Sequence, residues 1–158
     1  MQPTNSAGRE TKDREISTTR EFEAPRDLVW EVWTDPRHTE QWWGPNGFST
    51  TTKEFDLRLG GVWNFTMHGP DGTDYRNDLT YTLVEPRTRL EWDHGPSPIF
   101  HVIILFEEIG KNRTRLQMRM LFETAVERNR TIEKFDALEG QRQTMNRLEE
   151  YLKSRQLA

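Results

Sequence analysis

Between Thr51 and Phe122 the apolar residues fall on every second position, in short runs separated by turn residues. Trp63, Phe65 and Met67 share one parity and stop at the turn Gly69-Pro70-Asp71-Gly72. Phe55, Leu57 and Leu59 precede them; Tyr75, Asn77, Leu79, Tyr81 and Leu83 follow, then Leu90, Trp92 and His94. The stretch from Phe100 to Glu108 is nearly continuous, and Leu116, Met118, Met120 and Phe122 alternate with Arg115, Gln117 and Arg119. Period two with short connections predicts an antiparallel meander of six strands, one face packed and the other wet.

The flanks read differently. A strand is expected from Arg14 to Phe22. After it, Val29, Val32 and Trp33 fall at helical spacing beside Leu28, with Pro25 placed for a first turn. "DPRHTEQWW" reads as a second short helix ended by Gly44-Pro45, and pre-proline Asp35 separates the two. Beyond the strands, Thr124 and Glu127 form a capping-box pattern. Ile132, Phe135, Leu138, Met145, Leu148 and Leu152 then make one amphipathic stripe to about Arg155. Gly140 interrupts it at a cost of about 1 kcal/mol relative to Ala, with Gln141 and Arg142 beside it. The first 13 residues have no periodicity and are expected to be a disordered tail; residues 14–156 are expected to be one domain.

Composition narrows the classes. The 158 residues are 33% hydrophobic and 30% charged, which alone leans towards disorder. Six Trp, eight Phe and three Tyr argue for a core of few, large side chains that leaves space between them. Cysteine is absent, which excludes disulfides, thiolate metal sites and a cysteine nucleophile. Net charge is −4 with both signs interleaved, so no electrostatic footprint for nucleic acid or membrane is present. No apolar run approaches a membrane span and no secretory signal pattern opens the chain, making a cytoplasmic protein the expectation.

Four segments, "FEAPRDLVWEVWTDPRHTEQWWGP", "FDLRLGGVWNFTMHGPDGTDY", "LVEPRTRLEWDHG" and "EKFDALEGQRQTMNRLEEYL", stand in an order and spacing that resemble the START-like superfamily. Within it they resemble the AHSA branch, the homologues of the activator of heat-shock-protein-90 ATPase, whose compact bacterial members are called polyketide-cyclase-like. The resemblance implies an α+β helix-grip fold: a seven-stranded antiparallel sheet wrapped around a long C-terminal helix, with two short helices between the first two strands. It also implies an apolar cavity between sheet and helix, used across the superfamily for small hydrophobic molecules. In the family the Trp-Trp-Gly-Pro segment closes the end of the helix pair. Trp43 is therefore read as packing, and for Trp42 packing and an edge of the cavity both stay open.

The expected ligand-binding set is Trp63, Phe65, Met67, Asn77, Tyr81, Trp92, His94, Ile104, Met118, Phe135, Gly140 and Gln141. Apolar members would supply affinity; Asn77, Tyr81, His94 and Gln141 would orient a ligand; Gly140 would give it room. Leu79 stands where many relatives carry glycine and would narrow the space. His94 and His101 flank a hairpin but differ in parity, and no paired-histidine spacing occurs, so neither metal nor cofactor is expected. No catalytic residue is assigned either: "SPIFH" and "FSTTT" lack a nucleophile elbow, and adjacent Asp93 and His94 leave a strand on opposite faces. The leading expectation is a binder of a small hydrophobic or aromatic ligand. A cyclase- or hydrolase-like enzyme using His94 or Tyr81 is one alternative. A chaperone-associated or homodimeric module is another, which an outward apolar patch from Ile103 and Leu105 would favour.

Overall fold

The computed structural model describes residues 11–157. Residues 1–10 of the expected tail lie outside that range, and Lys12–Arg14 form a 3-10 turn. Strand β1 (Glu15–Phe22) leads into helices α1 (Arg26–Thr34) and α2 (Pro36–Trp42). Strands β2 (Ser49–Phe55), β3 (Val62–His68), β4 (Asp74–Glu85), β5 (Arg89–Gly95), β6 (Phe100–Gly110) and β7 (Arg113–Phe122) follow. Helices α3 (Ala125–Phe135) and α4 (Ala137–Leu157) complete the chain. All seven strands join one antiparallel sheet in the order β1-β7-β6-β5-β4-β3-β2, with β1 added at the far edge against β7. This is the α+β helix-grip architecture.

Local chemistry accounts for the elements. Asp35 caps α2 by accepting from the Arg37 backbone N–H at 2.9 Å, and Pro36 occupies the first turn where no donor is needed. Thr124 caps α3 in the same way through the Glu127 N–H. Alternation along the strands puts Trp63, Phe65, Leu79, Tyr81, Leu90, Trp92, Val102, Ile104, Phe106 and Leu116 in the core. Met145, Leu148 and Leu152 of α4 and Val29, Val32 and Trp33 of α1 join them.

Three details depart from the sequence reading. The C-terminal helix is two helices, because Asp136 takes a left-handed conformation (φ 50°, ψ 50°) that ends α3. The stripe cannot run straight through that break, and Phe135 and Leu138 are exposed while Met145, Leu148 and Leu152 are buried. On β4 a bulge at Tyr81–Leu83 shifts the register, so Val84, not Leu83, pairs with Leu90 and packs on the core. On the outer face Ile103 is buried, paired with Glu91 on one side and Arg119 on the other, and so contributes no open apolar patch. Arg119 in turn chelates Glu15 with Nε–O 2.8 Å, a hydrogen-bonded pairing that holds the Glu15 carboxyl below its usual range.

Candidate binding site between sheet and helix

The segment Trp42-Trp43-Gly44-Pro45 organises the concave face. Trp42 is fully buried and its indole N–H donates to the Val32 carbonyl at 3.1 Å, locking α2 onto α1. Trp43 points into the sheet, with ring centroids 5.0 Å from Trp63, 5.6 Å from Trp33, 6.0 Å from Phe65 and 6.4 Å from Trp92. Gly44 has φ +100°, a backbone conformation that favours glycine; a Cβ there would also press on the Met67 methyl at 2.9 Å and on Phe48 Cβ at 3.2 Å. Arg147 of α4 then ties the segment to the helix, its Nη1 donating to the carbonyls of Gly44 and Pro45 at 2.9 and 3.0 Å. Gln143 adds a contact from its Oε1 to the Asn46 N–H at 3.0 Å.

With that plug in place the expected ligand-binding residues separate into groups. Trp63, Phe65, Tyr81, Trp92 and Ile104 are buried in the aromatic cluster, Trp63 stacked on Phe65 at 4.1 Å. The Trp63 indole N–H donates to the Thr52 hydroxyl at 3.0 Å. Burial alone pushes the Tyr81 hydroxyl well above its ordinary range. Leu79, also fully buried, stands between Trp63 and His94 in the register. This half of the concave face is filled.

The other half is not sealed. Met67, His94, Phe100, Met118 and Met120 sit on strands flanked by neighbours on both sides, with the parity of buried residues, yet remain half-buried. Gln141 of α4 reaches them: its Nε2 lies 3.4 Å from the sulfurs of both Met118 and Met120, and its Oε1 accepts from the Thr18 hydroxyl. His94 stacks on Phe100 (4.2 Å, 11°) and contacts the Pro98 carbonyl through Nδ1 at 2.8 Å and Asn77 Oδ1 through Nε2 at 2.5 Å. Burial holds His94 below its usual range, opposed by the Pro98 contact and by Asp78.

Two expected members fall elsewhere. Gly140 faces Pro45, whose Cγ would be 3.3 Å from an added Cβ; the space it leaves accommodates the plug, not a ligand. Phe135 is 40% exposed, touches Tyr75 at 6.4 Å between centroids, and lines a separate cleft of about 310 Å³ with Pro98, Ile99 and Thr131. Trp43 packs as expected, and Thr18 and Phe100 join the concave face without having been expected there. Phe100 was accessible from its parity with Val102 and Ile104; the inward turn of Trp43 and the Gln141–Thr18 contact have no signal in spacing. His101 faces outward as expected, clamped between Asp93 and Glu91. Among the described residues no group of three or more His, Cys, Asp or Glu is disposed to hold a metal ion, and no helix is long and apolar enough to cross a membrane.

A curved sheet gripping a C-terminal helix, closed at one end by an aromatic plug, defines the helix-grip class. The chain belongs to the Activator of Hsp90 ATPase homolog 1-like protein family, which it matches over residues 23–153. Among solved structures it is similar to a protein of Nitrosomonas europaea at 25% identity and TM-score 0.83, covering 92% of this chain and 98% of the other. It is similar to a protein of Arthrobacter aurescens at 28% identity and TM-score 0.83, covering 91% and 88%. An AHSA1 protein of Silicibacter pomeroyi shares the fold at 21% identity and TM-score 0.71, covering 89% and 99%. None of the curated proteins compared with the chain matches it.

Proposed function

We propose that this protein reversibly binds a small hydrophobic or aromatic molecule on the half of the concave face that α4 leaves unsealed. One observation carries the reading: Met67, His94, Phe100, Met118 and Met120 point inward from interior strands and are still reached by solvent. An apolar, partly enclosed surface with a few convergent polar groups is the usual composition of a small-molecule site. The buried Trp63–Phe65–Trp92 group forms its rigid back wall. Met67, Met118 and Met120 form an adaptable one, since unbranched thioethers follow irregular shapes. Covering about 200 Å² of apolar ligand surface would contribute about 5 kcal/mol before the cost of association. Among the described residues the Gln141 amide N–H groups meet the Met118 and Met120 sulfurs, which are weak acceptors, so a ligand oxygen would take those donors over readily.

Native mass spectrometry of freshly purified protein, compared with its denatured mass, tests this directly. The expected result is an added mass that leaves on denaturation, or failing a co-purified ligand, a thermal shift with members of a panel of hydrophobic aromatics. Ligand at 100 times its Kd should stabilise by about 2.7 kcal/mol. A clean mass together with no shift across the panel would contradict the proposal. Filling the site with Met118→Trp or Met120→Trp should abolish the shift while preserving a cooperative melt.

A further inference from the structure

The polar end of the site is one proton short. Four groups stand in a row: the Pro98 carbonyl, the His94 ring, the Asn77 amide and the Tyr75 carbonyl. The two ends are backbone carbonyls and can only accept. Pro98 O lies 2.8 Å from His94 Nδ1, so that nitrogen carries a hydrogen. Tyr75 O lies 3.1 Å from Asn77 Nδ2, which donates to it and leaves Asn77 Oδ1 facing His94 Nε2 at 2.5 Å. A neutral imidazole then presents a lone pair to an oxygen. Turning the Asn77 amide over gives His94 a donor but sets Oδ1 against the Tyr75 carbonyl oxygen. Neither orientation satisfies the row with a neutral ring; an imidazolium satisfies every contact. The Phe100 ring stacked 4.2 Å away favours the cation as well.

What opposes the proton is burial without a full counter-charge. Asp78 on β4 is the acidic group whose field acts on His94. Arg14, Asp93, His101 and Glu123 line the cleft beside it, a nearly balanced set. From α3, Glu127, Arg130 and Lys134 line the neighbouring cleft at Pro98. Among the described residues no carboxylate hydrogen-bonds the His94 ring, whose two nitrogens meet the Pro98 carbonyl and Asn77 Oδ1, so a closer counter-charge can arrive with a ligand.

Building on the proposed binding function, we infer that the site takes a hydrophobic molecule bearing an acidic group, a carboxylate or phenolate, and that its binding draws one proton from solution onto His94. Binding of such a molecule weakens as pH rises above the value at which free His94 loses its proton. A neutral molecule of the same shape shows no such dependence.

Isothermal titration of 2-naphthoic acid and 2-naphthamide into the intact protein between pH 6 and 8.5, in phosphate and in Tris, reads both quantities. The acid is expected to bind at least about tenfold tighter than the amide at pH 6, with the margin falling by up to about tenfold per pH unit and uptake approaching one proton. Asn77→Asp supplies the counter-charge internally. Within that variant the advantage of the acid over the amide and the proton uptake should both disappear, whatever the absolute affinity of either; His94→Gln should do the same. Equal binding of acid and amide with no buffer dependence overturns this inference and leaves the binding function standing. If neither naphthalene binds, and the hydrophobic panel also gives no shift, both fall together.

Discussion

His101 has a carboxylate at each ring nitrogen, Asp93 at 2.7 Å from Nδ1 and Glu91 at 2.8 Å from Nε2, so both nitrogens donate and the ring is held as a cation. Burial pushes its pKa down, but the two hydrogen bonds outweigh it and the net shift is upward. A raised folded value means that the stabilisation is complete below the ordinary histidine value of about 6.5 and is lost as pH climbs through the raised one. Glu91 responds in the opposite sense: burial raises it, His101 and Arg89 together outweigh that and lower it, and its contribution fades as pH falls through the lowered value. His101→Gln should therefore lose stability relative to the parent near pH 6 and converge with it at alkaline pH, as urea melts at a series of pH values would reveal. A constant difference across that range would contradict the clamp. Trp43 makes the other residue-scale case. Its ring touches Trp33, Trp63, Phe65 and Trp92, and Trp43→Ala should lower stability by about 3–5 kcal/mol in denaturant unfolding.

Among the elements, the join between α3 and α4 and the strap from α4 to the plug are the features most sensitive to substitution. Asp136 sits at φ 50°, where a β-branched side chain is strained. Asp136→Gly should match or exceed the parent in thermal stability, whereas Asp136→Val should lose about 1–2 kcal/mol. Arg147 donates to the carbonyl of Gly44 and to that of Pro45, which also accepts from the Phe48 N–H, so Arg147→Met should cost about 1–3 kcal/mol and loosen the plug. Elements of this kind explain how much the sequence disclosed. Strand parity and capping residues are local, and they revealed the seven strands, the two short helices and the buried aromatics. The break at Asp136 depends on one backbone conformation in a segment whose apolar spacing reads as continuous. The role of Gly140 depends on where Pro45 arrives from a hundred residues away in the chain. The inward direction of Met118 and Met120 was legible from parity; the placement of Trp43 and Phe100 on the same face became visible only once the plug and the hairpin were placed.

At the scale of the whole molecule the concave face is divided. The half nearest α1 and α2 is filled by tryptophan rings, whereas Met118 and Met120 next to Gln141 are only half-buried, and it is there that the ligand is proposed to sit. The methionines offer a direct probe, because Met67, Met118 and Met120 are half-buried members of the proposed site while Met145 is fully buried in the core. Titrating 2-naphthoic acid into protein carrying labelled methionine methyl groups and following the methyl resonances locates the ligand residue by residue. Binding on the open half predicts that the signals of Met67, Met118 and Met120 move together and saturate while that of Met145 stays in place. Signals that do not move, or that shift for Met145 alone, would contradict it.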